Sequence, residues 1–586
     1  MVRLHDPDDN TVLRISRNDP DIAGLDVCFD NIGLEWVDKV GCAISSSTHL
    51  QKLKVCWFDS AVQTEQMTSF FLHLAQNRSI VHLEVESVDH SVVDIFAILA
   101  PFFELNHNLR CIEIRHGSSF PVVIPSFILA LQRQKSNRLE SIKLAHIGLK
   151  DDDLTELINA LQAMPGLNIL SELCLGFNRI ENKGCYKLGE LLKNPSSGIR
   201  HLDLQHNFMD DMGISRIVGD LFQNTTLKSL DLSLLRRLTS TSWHILSGFL
   251  KTPQCLLESV YLGGDSEIDD EGAISLGDAF AANRTLKYID FNNNFTISSR
   301  GWQELARGFG ASSLEEIILS DCSIDDDGAF DLFETLTAST LLKKLDISGN
   351  YTISEAGWNE CILFLQDSAA PFEELHFRSN NIGEFGAHML IELVAGIKTT
   401  IRCLDVRNIA ITNDELSIFA RLLHPSSSSQ LQDLRIGSYQ QNDVNDEVVK
   451  CFAAALTNNT SLTNLAWSNV RISSAGCSAL VDALCDANSI SDISNSNHTL
   501  CSISCGNMLP EVLTSLLRLN ANENKAAVVR QKVSAYYLSD MKTAGRVFGS
   551  MSETTLPIAT SWIGRDRHGY SAMFSVVRNM LLKFDT

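Results

Sequence analysis

Residues able to do chemistry are plentiful in this sequence but are not arranged for it. Sixteen histidines and fifteen cysteines are spread over 586 residues. No GxxxxGK(S/T) phosphate loop, no HExxH metal helix and no GxSxG nucleophile turn occurs. Cys501 and Cys505 lie four apart, but no histidine follows at ligand spacing, and no CxxC pair exists. The acid triplets Asp151-Asp152-Asp153 and Asp325-Asp326-Asp327 lack the alternating ligand spacing and closing Glu of a calcium loop. No catalytic residue, metal or cofactor is therefore expected, and binding is the function class that remains.

Charge narrows the partner. The balance is 48 − 71 = −23, which opposes a bare phosphate backbone and argues against direct nucleic-acid binding. The start, Met1 to Asp9, has no apolar core of the kind a secretory signal needs. The best charge-free apolar stretch, Phe120 to Leu131, holds Pro121 and Pro125 and is far short of the ~20 residues that span a bilayer, so no membrane insertion is expected. An odd number of cysteines reads as free thiols in a reducing compartment, which places the chain inside the cell, in the cytoplasm rather than the nucleus. Sequons such as Asn77-Arg78-Ser79 and Asn283-Arg284-Thr285 read as turn chemistry.

What must position any binding residue is a repeat. Leu342-x-x-Leu345-x-Ile347-x-x-Asn350, Phe372-x-x-Leu375-x-Phe377-x-x-Asn380 and Leu314-x-x-Ile317-x-Leu319-x-x-Cys322 share one template. The first residue of each L-x-L core is Leu25, Leu53, Leu83, Ile112, Ile142, Leu173, Leu202 and Leu230. The series runs on through Val260, Ile289, Ile317, Leu345, Leu375, Leu404, Leu434 and Leu465. Leu25 to Leu465 is 440 residues in fifteen steps, a period of about 29, and a further unit sits at Ile503. In L-x-L the leucines enter one face and x leaves by the other. Asn178, Asn207, Asn294, Asn350 and Asn380, with Cys322 in the same slot, fall where the chain must turn, and there a buried amide can satisfy backbone groups of the next unit. Acids such as Asp269, Asp270 and Asp325 to Asp327 precede helical patterns and suit N-caps and first turns.

The pattern LxxLxLxx(N/C)xL with one helix per unit resembles the leucine-rich repeats of the ribonuclease-inhibitor-like class, over roughly residues 20 to 508. The resemblance implies an α/β solenoid, a horseshoe with a parallel concave sheet and convex helices. This chain departs from it where Phe58, Val88, Ile147, Leu235, Ile409 and Val470 take the Asn/Cys slot. Activators of the Ran GTPase resemble the chain in period and helix start, and they imply an alternative in which it accelerates GTP hydrolysis in trans. That family carries a long acidic C-terminal tail, which this chain replaces with a basic end.

Three regions are expected: an N-terminal arm or cap over 1–20, about 17 repeats over 21–508, and a basic helical C-terminal cap or extension over 509–586. From 511 onward there are ten Lys/Arg against six Asp/Glu. The central x residues define what a partner would meet. From the seventh to the fourteenth repeat they are Asp203, Asp231, Tyr261, Asp290, Ile318, Asp346, His376 and Asp405, with no Lys or Arg among them. Tyr288, one residue before Ile289, faces the same way and can adjoin Tyr261. The expectation is a non-catalytic scaffold or regulator that binds a basic, partly apolar protein on this ridge.

Overall fold

The computed structural model describes the chain apart from residues 1, 5–8, 30–33, 58–63, 88–94, 117–124, 134–137, 165, 265–267, 398–399, 411, 413–414, 425–426, 439–445, 469–470 and 539–586. Phe58, Val88, Val470 and most of the basic C-terminal segment lie outside the described residues. Two compact units divide it, Met1–Cys322 and Ser323–Thr586.

In each unit the repeat becomes strand then helix, and every strand pairs in parallel with the next. In the first unit the marker residues are register partners from Leu25 through Leu53, Leu83, Ile112, Ile142 and Leu173 to Leu202, and on through Leu230, Val260 and Ile289 to Ile317. In the second they run Leu345, Leu375, Leu404, Leu434, Leu465, Ile503. The periodicity therefore marks both the strands and their register. A further strand, Val2–Leu4, pairs in parallel with Gly24–Cys28 ahead of the first marker. The marker leucines are wholly buried between sheet and helices. Each such side chain removed from water stabilises the fold by about 1.5–3 kcal/mol before chain entropy is counted.

Many of the strands are only three residues long, as in Glu172–Cys174, His201–Asp203 and Tyr288–Asp290. Just beyond them side chains enter the backbone hydrogen bonding. Asn207 Nδ2 donates to the carbonyls of Leu175 and Leu204, each at 3.0 Å, and its Oδ1 accepts from the N–H of Ile180. Asn178 does the same for Leu144, Leu175 and Leu149. Asn294 Nδ2 bonds Leu262 and Phe291, and Asn380 Nδ2 bonds Ile347 and Phe377. Asn350 Oδ1 accepts from Ile324, and the Cys322 thiol bonds the Phe291 carbonyl at 3.1 Å. The apolar substitutes Ile147, Leu235 and Ile409 are fully buried instead. At Ile409 the strand compensates by running to seven residues, Cys403–Ile409, so its backbone pairs directly with its neighbour.

Two further columns join successive repeats. At helix starts, Asp270 accepts from the Ser298 N–H and hydroxyl, Asp326 does so from Ser354, and Asp211 does so from Thr239. Asp269 and Asp325 are true N-caps, accepting from Gly272 and Gly328. At helix ends, asparagines of Asn-x-Ser/Thr sequences are interior. Asn77 and Asn283 are 0% and 5% exposed. Their amides donate to Ile44 and Leu250, and their oxygens accept from Ile80 and Leu286. The sequons are thus a consequence of the turn, with the Ser79 and Thr285 hydroxyls donating to carbonyls of the preceding repeat.

Past the last strand, helices Glu511–Asn520 and Lys525–Val533 follow. Asn520 Nδ2 bonds Asn497 and Leu500 carbonyls, continuing the helix-end column. The fully buried Lys532 ammonium donates to Leu484 and Asn497 carbonyls at 2.6 and 2.8 Å. Burial pushes its pKa down to about 8.

Replacing Asn207 by Ala strips the amide donor from the buried Leu204 carbonyl and the acceptor from the Ile180 N–H, leaving Leu175 to Asn178 alone, and should destabilise the protein by about 1–3 kcal/mol. Urea denaturation checks this against Asn522→Ala, at an exposed turn, which should change little.

Candidate functional site

On the face opposite the leucines the first unit carries Asp203, Asp231, Tyr261, Asp290 and Ile318 side by side, as consecutive register partners. Neighbouring strands stand about 4.8 Å apart, so Asp203 and Asp231 are adjacent like charges. Tyr261 separates Asp231 from Asp290. The rings of Tyr261 and Tyr288 meet at 4.8 Å between centres, tilted by 40°. The aromatic pair expected from spacing is therefore formed.

The aspartates have a structural task that sequence reasoning did not assign. Asp203 Oδ1 accepts from the N–H of Gln205, Asp231 from Ser233, Asp290 from Asn292, Asp346 from Ser348 and Asp405 from Arg407. The asparagine ladder explains why: the carbonyl of Leu175 is occupied by the Asn178 and Asn207 amides, and the N–H two residues past the strand turns to the aspartate. The second carboxylate oxygen takes a side-chain donor in Asp203 from Gln205, in Asp290 from Asn292 and in Asp405 from Arg407.

The electrostatics of this patch are strained. Burial pushes Asp231 up to about 6, with Asp203 and Asp290 adding repulsion. Asp203 is raised mainly by burial too. Tyr261 and Tyr288 are raised, first by burial and then by the flanking aspartates. Among the described residues no Lys or Arg forms an ion pair with Asp203 or Asp231. The patch is partly dehydrated anion flanking two aromatic rings.

The second unit differs from expectation. Asp346 remains part-exposed, but His376 and Asp405 are buried, at 9% and 2% exposure, and do not form an open ridge. His376 Nε2 lies 3.3 Å from Glu374 and its Nδ1 3.9 Å from Asp405. Arg407 grips Asp405 through Nε and Nη2 at 2.8 and 2.5 Å, and Arg435 stands 3.9 Å away. The long strand Cys403–Ile409 places Arg407 on the same face, one step beyond the x residue considered alone. Burial by itself would raise Asp405, but His376 and Arg407 hold it down to about 2. His376 is raised, its carboxylate neighbours outweighing burial. This face neutralises itself.

Nearer the N-terminus the first unit is also paired. Lys54 bridges Glu84 and Glu86 at 2.6 and 2.9 Å, Arg115 holds Glu113, and Lys143 meets Glu172 at 2.8 Å. His82, Glu84 and Glu113 bring possible ligand atoms within 4.8 Å of one another, but both carboxylates already carry a cation. Cys501 and Cys505 donate to the carbonyls of Thr499 and Asn507. No helix among the described residues is long and apolar enough to cross a membrane.

Asp231 binds its proton more tightly in the folded chain than in the unfolded one, whose carboxyl titrates near pH ~3.9. Its contribution to stability therefore falls as pH rises from about 4 through about 6 and stays unfavourable above. Asp231→Asn keeps the acceptor for Ser233 and should stabilise the protein at pH 7 by on the order of 1 kcal/mol. Thermal unfolding at pH 4.5 and 7 checks it: the gain should shrink at the lower pH.

The comparisons agree with this geometry. A family profile described as Leucine Rich repeat matches residues 310–333. The ribonuclease inhibitor of Sus scrofa is 24% identical over 390 residues, which span 61% of this chain and 83% of the inhibitor. The NACHT, LRR and PYD domains-containing protein 14 of Mus musculus is 26% identical over 355 residues, 60% of this chain and 32% of that protein. Capping protein, Arp2/3 and myosin-I linker protein 3 of Homo sapiens is 24% identical over 473 residues, 73% of this chain and 32% of that protein. Among solved structures, the Rad7 and Elc1 complex in yeast aligns over 79% of this chain and 89% of the matched chain, at 13% identity and a TM-score of 0.36, too low to assign a fold. With its in-register L-x-L strands and its Asn/Cys turn ladder, the chain is built of leucine-rich repeats and is similar to proteins of the ribonuclease-inhibitor-like class.

Proposed function

We propose that the chain is a non-catalytic scaffold or regulator and that its sheet face in the first unit holds a protein partner with a basic, partly apolar surface. One observation carries the reading. Asp203 and Asp231 stand on adjacent strands beside the Tyr261–Tyr288 pair, with Asp231 raised to about 6. Unpaired, dehydrated like charges cost stability, and a cationic partner would remove that cost on binding. Tyrosines offer large rigid contact area at low entropic cost, as interface anchors do. The strands that present them are fixed by the ladders, so little backbone order is lost on association.

Asp346 belongs to the same reading on the second unit, whereas His376 and Asp405 serve it only by holding the surface charge near neutral. The relative named for inhibiting ribonucleases supports a role in which one protein restrains another. Fifteen free cysteines, most of them buried, support a reducing, intracellular setting. The helices Glu511–Asn520 and Lys525–Val533 fit a cap over the last repeat, since Asn520 and Lys532 occupy carbonyls there.

The test is recovery of a partner by proximity labelling in the native cell, followed by purified binding with the Asp231→Lys, Asp290→Lys double variant. Affinity should fall by about 2 kcal/mol or more, roughly thirtyfold, and Asp231→Asn, Asp290→Asn, which keeps the acceptors for Ser233 and Asn292, should weaken binding without lowering the melting temperature. Binding should also strengthen as pH rises through about 6, where Asp231 loses its proton. Equal affinity of variant and wild type, at any pH between 5 and 8, contradicts the reading.

A further inference from the structure

The first unit has a second charged surface, of opposite sign, on the turns that lead from strand to helix. A cavity of about 630 Å³ opens there, and its basic lining is Lys150, Arg179, Lys183 and Arg237, from three of four successive repeats, the other contributing Phe208. This concentration of cation stands out in a chain of net charge −23. All four side chains are exposed. Phe208 lies among them, 39% exposed, with the Arg237 guanidinium 5.0 Å from its ring centre.

The acids that line the cavity are committed to the scaffold. Asp151 accepts from the N–H of Glu181 at 2.7 Å, and Asp152 holds Lys183 at 2.5 Å. Glu181 lies 3.8 Å from Arg237, a long contact between exposed groups. Lys150 makes no ion pair among the described residues. Lys150 thus keeps its positive charge without an ion pair on a groove that also exposes part of the Phe208 ring.

A few residues earlier on the same turns, His146, Phe177 and His206 form a stacked column, with ring centres 4.2 and 4.9 Å apart and planes within 17° and 16°. All three have left-handed backbone, with φ of 57°, 57° and 49°. That conformation is disfavoured for bulky residues, yet it recurs in successive turns and sets the rings in register. His146 is lowered first by burial and then by the nearby His206 and Arg115.

We infer that this groove is a docking site for an acidic polypeptide segment bearing an apolar or aromatic side chain, which would seat on Phe208 while its carboxylates meet Lys150, Arg179 and Arg237. Charge complementarity selects this occupant, and the interleaved Asp151, Asp152 and Glu181 disfavour a continuous phosphate backbone with its one charge per residue. The site is separate from the acidic sheet face and takes the opposite kind of partner. A rigid array would thereby hold a basic and an acidic surface at once.

Fluorescence anisotropy tests it on the full chain, with a labelled peptide of about ten residues, glutamate-rich around a central phenylalanine. The wild type should bind it, more weakly at high salt because screening sets in over ~8 Å at physiological ionic strength. Lys150→Glu, Arg179→Glu, Arg237→Glu together should weaken binding at least roughly tenfold, and Phe208→Ala should weaken it as well. The Asp231→Lys, Asp290→Lys variant should bind the peptide as the wild type does, which separates this site from the sheet face. If the triple variant melts early, Lys150→Glu alone, at an exposed side chain, must still weaken binding. No binding by the wild type, unchanged binding by the variants, or tighter binding of a single-stranded RNA of equal length each overturns the assignment.

Discussion

Everything in this molecule depends on how backbone groups are satisfied where three-residue strands end. A strand that short leaves carbonyls and N–H groups next to a packed apolar core, where an unpaired polar group costs about 1–3 kcal/mol. The chain meets this cost with short side chains that reach into the neighbouring repeat. Asn207 and Asn178 fill the carbonyls after the strand, Asp203 and Asp231 take the displaced N–H groups, and Asp270 and Asp326 clasp the next helix start. Asn77 and Asn283 close the other end of the helix. Hydrophobic burial drives the stack, and these columns fix its register.

That economy links fold to function. The aspartate that completes the turn also faces outward beside the next repeat's aspartate, so the structural solution builds an anionic surface as it goes. Whether the surface stays charged depends on its neighbours. Asp405 is answered by Arg407 and buried, while Asp231 has Asp203 and Asp290 around it and remains hungry for a cation. The same repeat position therefore yields a neutral face in one unit and a candidate binding face in the other.

Period and alternation in the sequence were enough to locate the marker strands and, within each unit, their register, because burial of leucine at fixed spacing is a one-dimensional signal. The Tyr261–Tyr288 pair was legible for the same reason. What was not legible depended on side chains two residues or one repeat away. Arg407 reverses the character of Asp405 and His376, and only strand length reveals that it shares their face. The turn-capping role of the aspartates required knowing that asparagine amides occupy the competing carbonyls. The rim cations Lys150, Arg179 and Arg237 fall at different distances from their leucines in sequence, so no single template position collects them. Asn77 and Asn283 were visible as turn residues, but their burial was not.

The most direct measurement is native-state hydrogen exchange of the amides that these side chains hold. Leu149, Ile180 and Ile324 are bonded to asparagine oxygens, and Gln205, Ser233 and Asn292 to aspartates. The account predicts that they exchange as slowly as the strand amides beside them, and that Asn207→Ala releases Ile180 and its neighbours first. Exchange at these six sites as fast as in exposed loops would contradict the claim that side-chain ladders hold the repeats together.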